Sequence, residues 1–229
     1  MGFTVQRFHP LIRPGLYLGA DGSAIPVFSR QSAWDSLCTL HALASALKIL
    51  GLIADPARIA TRQRKIEAAI WRKATDIFQT GVTFTELADF IAGLDCGLRI
   101  KLFERGSHRE VIPFIERELA RKRLVIASFR VIGESHNHAA LVIGVEGLEH
   151  GGRFVPHALL ILDPAESPPG AFATGNARLD YADRKPGKAR RLWRYSKYAT
   201  AGETFSVVVN AALSIHVDKP LRPSQLSAR

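Results

Sequence analysis

Four residues of this sequence are of the types and spacing that covalent acyl chemistry needs: Gln31, Cys38, His138 and Asp163. A thiol attacks a carbonyl as the thiolate, so it must stand where negative charge is favoured. In the segment QSAWDSLCTLHALASAL, an N-cap at Asp35 or Ser36 places Cys38 at the second or third position of a helix. Unpaired backbone N–H groups and the helix dipole favour an anion there. Gln31 stands seven residues before Cys38. Its side-chain amide and the Cys38 N–H would together supply two donors to a developing oxyanion.

The thiol needs a proton carrier and the carrier needs an orienter. His138 opens the apolar run HAALVIGVE, which puts its imidazole at a strand end facing a cleft. Asp163 ends the apolar run ALLILDP, where Pro164 stops the ladder, and it would orient His138 through Nδ1. Taken singly, a cysteine on a helix is usually a packing residue, a strand-edge histidine is usually structural, and an LDP is usually a turn signal. Their joint occurrence in the order nucleophile, base, orienter carries the reading.

Three residues compete with these. His136 is two residues from His138, shares its face if the strand begins early, and is the chief rival for the base. His41 lies one helical turn after Cys38, a spacing that simple packing also produces, and stays outside the triad. Cys96, beside Gly97 and without an upstream glutamine, reads as a structural thiol.

The elements that must position these groups are legible as periodicities. Leu40, Leu43, Leu47 and Leu50 give an amphipathic helix from Asp35 to Leu50, stopped by Gly51. Asp55 and Pro56 start a second helix through Ile59, Ile66 and Ile70, with a basic face of Arg58, Arg62, Arg64, Lys65 and Arg72. Thr83 and Glu86 form a capping box for a third, with Leu87, Phe90, Ile91 and Leu94 as its stripe. A fourth runs from Ile112 to Lys122 and tolerates Pro113 near its first turn. Short β-rich runs then follow at 99–104, 124–129, 138–146, 158–163, 205–210 and 213–217. Helices first and strands second predict an α+β domain over residues 26–217, its helical lobe carrying the nucleophile and packing on a mostly antiparallel sheet. Residues 1–25 read as an N-terminal extension and 218–229 as a disordered tail.

The 229 residues, 47% hydrophobic and 23% charged, suit one ordinary globular domain. No apolar run approaches the roughly 18 residues of a membrane span, and MGFTVQRFHPLIRPG lacks the apolar core of a secretory signal. Gln6 stands where a myristoylation motif needs Ser or Thr, so a cytoplasmic protein is expected. Two cysteines are too few for a disulfide scaffold or a four-thiolate zinc site. The balance of 31 Lys and Arg against 21 Asp and Glu, a net +10, attracts acidic proteins, nucleic acid or anionic lipid. RKPGKARRLWRYSK, from Arg184 to Lys197, concentrates seven basic residues around Trp193 and Tyr195. It reads as a basic loop between strands; nucleic acid is possible there but is not the favoured partner.

The order Gln31, Cys38, His138, Asp163, over about residues 30 to 165, resembles the papain-like cysteine peptidase superfamily. TGVTFTELADFIAGLDCGL followed by a strand, then HAALVIGVE and LLILDP, are most similar to the bacterial double-glycine leader (bacteriocin-processing) peptidases. The resemblance implies a papain-like fold and a thiol protease acting on a peptide or protein. Cys38 would be nucleophile, His138 general base and acid, Asp163 orienter and Gln31 part of the oxyanion hole, with no metal or cofactor. Thr39 stands where a glycine usually follows the cysteine. SLCTLH is also similar to the Josephin deubiquitinases, which leaves peptide and isopeptide bonds both open. Transporter-linked members of the leader-peptidase family precede membrane and ATPase domains. This chain carries neither, so a standalone enzyme is expected. Two other classes remain: an acyltransferase of transglutaminase type using the same triad, and a non-catalytic basic papain-like module that binds polyanions.

Overall fold

The computed structural model describes residues 2–13, 19–20, 25–61, 65–170, 174–184 and 190–217. In chain order its elements are β1 (Phe3–Phe8), β2 (Ile12–Arg13), β3 (Gly19–Ala20), α1 (Cys38–Ile49), a 3-10 helix (Pro56–Thr61), α2 (Lys65–Asp76) and α3 (Phe84–Gly93). Then come β4 (Leu98–Phe103), α4 (His108–Ala120), β5 (Leu124–Val131), β6 (His138–His150), β7 (Arg153–Leu162), β8 (Ala177–Ala182), β9 (Leu192–Ala199) and β10 (Thr204–Val217).

The strands hydrogen-bond in the order β6-β5-β10-β9-β8-β7, and β7 pairs back onto β6, closing a six-stranded antiparallel barrel. β1 adds to β6 and β4 adds to β10. This overturns the papain-like α+β expectation of a helical lobe on a sheet: the molecule is mostly β, and the closed barrel dominates.

The difference has a specific source. β8 (ARLDYA) and β9 (LWRYSKYA), the strands that close the barrel, each bury one face only. Leu179, Tyr181, Ser196 and Tyr198 point in, while Arg194, Tyr195 and Lys197 are exposed, so the stretch reads as a basic loop. The runs expected at 205–210 and 213–217 are one strand of 14 residues, with an irregularity in its pairing between Val209 and Ala211. Its length lets it pair with β5 along one side, and with β9 and then β4 along the other.

Four barrel strands are apolar on both faces. Leu124 and Ile126, Leu141 and Ile143, Leu160 and Leu162, and Leu213 and Ile215 join one core with Leu40, Leu43 and Leu47 of α1 and Leu87 of α3. The alternate residues of the same strands, such as Val125, Val142, Ile161 and Val209, join a second core. All six strands contribute to that second core, which is therefore the barrel interior, and Val111, Phe114 and Ile115 of α4 pack into it. A strand buried on both faces reads as a continuous apolar run, which is why these four were visible in the sequence.

Element boundaries moved for local reasons. α1 begins at Cys38 itself. The helix expected from Asp55 is divided, because Arg58 takes the non-helical φ −112, ψ 19 and only Lys65–Asp76 is α-helical. Arg62 and Arg64 of its expected basic face lie outside the described residues. The Thr83–Glu86 capping box is present, with the Thr83 N–H donating to Glu86 Oε2 at 2.8 Å. α4 begins earlier than expected because Glu110 accepts from both the Ser107 N–H and hydroxyl at 2.7 Å, so Pro113 falls in its second turn. Within the expected N-terminal extension, residues 3–8 form an edge strand on β6. Gly144 permits that pairing, since a Cβ there would stand 2.5 Å from the Arg7 carbonyl oxygen. The tail 218–229 lies outside the described residues.

His108 ties α4 to two strands. Its Nδ1 accepts from the Val209 N–H at 3.0 Å, and its Nε2–H donates to Ser196 Oγ at 3.1 Å. Burial, reinforced by the charge of Arg109, lowers its pKa to about 4 from 6.5. The neutral ring is needed as an acceptor, so its contribution is complete above pH 6.5 and is lost as pH falls toward 4. Thermal melts from pH 7.5 to pH 4.5 are expected to show an acid limb in that window. His108→Asn, which keeps an acceptor near Nδ1 but does not titrate, is expected to flatten it; an unchanged limb would assign the acid sensitivity elsewhere.

Candidate active site

β6 begins and β7 ends on the same side of the barrel because the two are antiparallel, with Leu141 opposite Leu162. His138 is the first residue of β6 and Asp163 follows the last of β7, so their side chains meet. The Nε2–H of His138 donates to the Asp163 carboxylate, 2.8 Å from Oδ1 and 2.9 Å from Oδ2. The expected contact was through Nδ1. Nε2 takes it instead, and Nδ1 is the ring nitrogen left for the thiol.

Asp163 is 2% exposed, and a buried carboxylate must be met by donors. The Tyr198 hydroxyl donates to Oδ2, and the Ala165 N–H donates to Oδ1 at 2.8 Å. Asn176 brackets its backbone, accepting from the Asp163 N–H at 2.7 Å and donating to the Asp163 carbonyl at 2.8 Å. Burial alone would raise the carboxyl's pKa. The bond from His138, the imidazolium charge and the Tyr198 hydroxyl outweigh it and hold the group below the usual carboxylate range.

Cys38 is the first residue of α1, and no side chain caps that helix end. The expected cap, Asp35, is occupied within the preceding loop. Its carboxylate accepts from the Leu37 N–H at 3.0 Å and from the N–H and hydroxyl of Ser32 at 2.8 and 2.7 Å. The positive end of α1 therefore faces the thiol uncompensated by an acidic side chain in its first turn. Cys38 is partly exposed, and its thiol lies close enough to His138 to influence the ring's titration. Burial pushes the His138 pKa down, but the hydrogen bonds to Asp163 and to Cys38, and their charges, push it up to about 10. Phe129, opposite His138 on β5, meets the imidazole edge-on at 5.3 Å and also stacks against Tyr198.

Gln31 is sewn to the same corner, since its N–H donates to the Pro164 carbonyl at 2.8 Å. Its side-chain Nε2 donates to the Asp35 carbonyl at 2.6 Å, which fixes the amide, and its Oε1 is buried without a partner among the described residues. All four expected site residues thus belong to one connected corner. The rivals do not. The His136 side chain is 77% exposed and lies 3.0 Å from Glu134. His41 faces away, with Nδ1 2.8 Å from Ser29 Oγ and Nε2 3.7 Å from Asp35. Cys96 lies in the turn between α3 and β4, where burial raises its thiol pKa.

Tyr198, Asn176 and Phe129 were missed in the sequence. The alternation of buried Ser196 and Tyr198 within RYSKYA is the signal that would have exposed β9 and its tyrosine. In the basic segment, 185–189 lie outside the described residues. Of the remainder, Arg184 pairs with Asp180 at 2.9 Å, Arg190 pairs with Glu116, and the Trp193 indole Nε1–H donates to Asp183 Oδ1 at 3.0 Å. Among the described residues no cluster of His, Cys, Asp and Glu is arranged to hold a metal, and no helix is long and apolar enough to cross a membrane. A cavity of about 500 Å³ lies elsewhere, between Arg7, Phe8, Arg117 and Phe154. The smaller open depression of about 320 Å³ is the one that reaches Gln31.

Because Asp163 raises the His138 pKa, the imidazolium is retained up to about 10 and lost above it. In Asp163→Asn the bond and charge that raise that pKa are lost, so the proton leaves at lower pH. Alkylation of Cys38 by iodoacetamide at pH 6–7 is expected to slow at least about tenfold, the equivalent of one pKa unit. An unaltered pH profile would detach Asp163 from the thiol. No protein-family model and no curated protein matches this chain, so the reading of the site rests on its own geometry.

Proposed function

We propose that the chain is a cysteine peptidase, a thiol hydrolase that cleaves peptide or isopeptide bonds. The observation that carries this is the His138–Asp163 hydrogen bond, ending on a buried carboxylate, with the Cys38 thiol brought beside that imidazole at an uncapped helix start.

The Cys38 thiolate attacks the scissile carbonyl carbon, and the carbonyl π electrons move onto oxygen. The Cys38 N–H and the Gln31 amide N–H not engaged by Asp35 donate to that oxyanion. The imidazolium of His138 gives its Nδ1 proton to the leaving nitrogen as the C–N bond breaks, and a thioester remains. Water then attacks the thioester, His138 takes its proton, and collapse of the second tetrahedral intermediate releases the acid and regenerates the thiolate. Asp163 holds the ring throughout and stays ionised. An amine in place of the water would give acyl transfer by the same steps. The basic-module reading draws less support, because Arg184, Arg190 and Trp193 are engaged within the protein.

The test uses denatured casein as substrate and a peptidyl vinyl sulfone as trap. The full chain is expected to release new amino termini and to form a covalent adduct at Cys38. Cys38→Ala should abolish both while keeping the wild-type melting profile, and Cys96→Ala should retain both. Adducts at Cys96 alone, or turnover by Cys38→Ala, would overturn the reading. Gln31→Ala is expected to lower kcat by about 10²–10³ without unfolding the chain, the loss typical of an oxyanion donor.

A further inference from the structure

The loop from Arg30 to Leu37 contains more than the groups needed for bond cleavage. Trp34 is 86% exposed, the most exposed large hydrophobic side chain among the described residues. It lies four residues before Cys38, a span of at most about 14 Å of extended chain. The loop around it is held in place. The Trp34 N–H donates to Ser32 Oγ at 3.2 Å, Ser32 to Asp35 at 2.7 Å, Gln31 to Asp35 at 2.6 Å and to Pro164 at 2.8 Å. On its other side the Ser36 N–H donates to the carbonyl of Phe78, itself 43% exposed. An exposed indole carried on a hydrogen-bonded loop presents a large apolar surface with little backbone entropy left to lose on binding.

Arg30 and Gln31, with Ser32 and Ala33, line the open depression of about 320 Å³. Arg30 is exposed and has no carboxylate partner among the described residues. Arg7, Arg121, Arg123, Arg178, Arg184 and Arg190 pair with acids, whereas Arg30, like Arg191 and Arg194, does not among the described residues. A guanidinium with no acid beside it among the described residues and an indole on an ordered loop therefore adjoin the Gln31 amide, on a chain of net charge +10. The surface is open rather than enclosed, which suits an extended polypeptide more than a small molecule.

Resting on the thiol-hydrolase reading, we propose that Trp34 and Arg30 form its recognition surface. The substrate is a polypeptide segment that lays a large apolar side chain on the Trp34 indole and a carboxylate against Arg30, close to the scissile bond. Selection is then for acidic, apolar-bearing sequence, and the overall positive field speeds the encounter.

The test separates recognition from cleavage. Cys38→Ala is titrated by fluorescence polarisation with two pools of fluorescein-labelled dodecapeptides. Both contain Leu and Phe; one is enriched in Asp and Glu, the other in Lys and Arg. The acidic pool is expected to bind and the basic pool not. Adding Arg30→Glu is expected to weaken the acidic pool at least about tenfold and to admit the basic one, and adding Trp34→Ala to weaken acidic-pool binding by a similar factor. Arg191→Glu changes the net charge equally from an exposed position elsewhere and should shift binding less than about twofold. Failure of both pools to bind, indifference to Trp34→Ala, or equal losses from Arg30→Glu and Arg191→Glu would each overturn the proposal. If the acidic pool binds through Arg30 and Trp34 but the wild-type chain cleaves none of it, the hydrolase reading fails and the surface stands. If the wild-type chain cleaves peptides without regard to either residue, the surface fails and the hydrolase stands.

Discussion

The Asp163 carboxylate is the constraint on which the site depends. A carboxylate at 2% exposure costs several kcal/mol unless donors replace its water. The donors come from three separate stretches of chain: His138 at the start of β6, Tyr198 on β9 and the Ala165 N–H of its own turn. The Tyr198 bond holds only while this side of the barrel is paired, because β9 reaches Asp163 by pairing with β8, and β8 with β7. Barrel closure therefore bears on the carboxylate that holds the ring: opening the β8–β9 side would leave buried Asp163 short of a donor.

The second axis of the site comes from the other core. α1 packs its leucines on the outer face of β5, β6 and β7, so the helix start is fixed against the same strand that begins with His138. A barrel strand with two apolar faces does two jobs here. Its inner face builds the interior that positions Tyr198 and Phe129, and its outer face seats the helix that presents the thiol. The thiol, imidazole and carboxylate can then be rigid although they lie on three elements, because each element is anchored by apolar burial rather than by the site's own hydrogen bonds.

Much of this corner was legible in the sequence, and the architecture was not. Cys38, His138 and Asp163 were readable because each marks the end of an apolar segment, where side chains leave the core and meet. Gln31 was readable from its distance to Cys38. The ring nitrogen was not, since choosing Nε2 over Nδ1 depends on how β6 faces α1. Tyr198 and Asn176 were hidden for a different reason. They belong to the part of the barrel with a single buried face, where Arg178, Arg194 and Lys197 break the apolar signal that strand recognition relies on. Missing β8 and β9 turned a closed barrel into an open sheet, and the helices, which come first in the chain, then took too large a place in the expected fold.

The bond from the Gln31 N–H to the Pro164 carbonyl joins the two axes. Pro164 adjoins Asp163, so the segment that orients His138 also anchors the loop that carries the Gln31 amide, Trp34 and Arg30. Any shift of residues 163–165 would move both the imidazole and that loop, and it would do so in concert. Proline at 164 suits that position: it has no N–H to place, ends the β7 ladder, and leaves its carbonyl free to accept from Gln31. On the proposed reading, chemistry and recognition therefore share a single backbone reference point, which lies at the mouth of the barrel rather than in the helices that flank it.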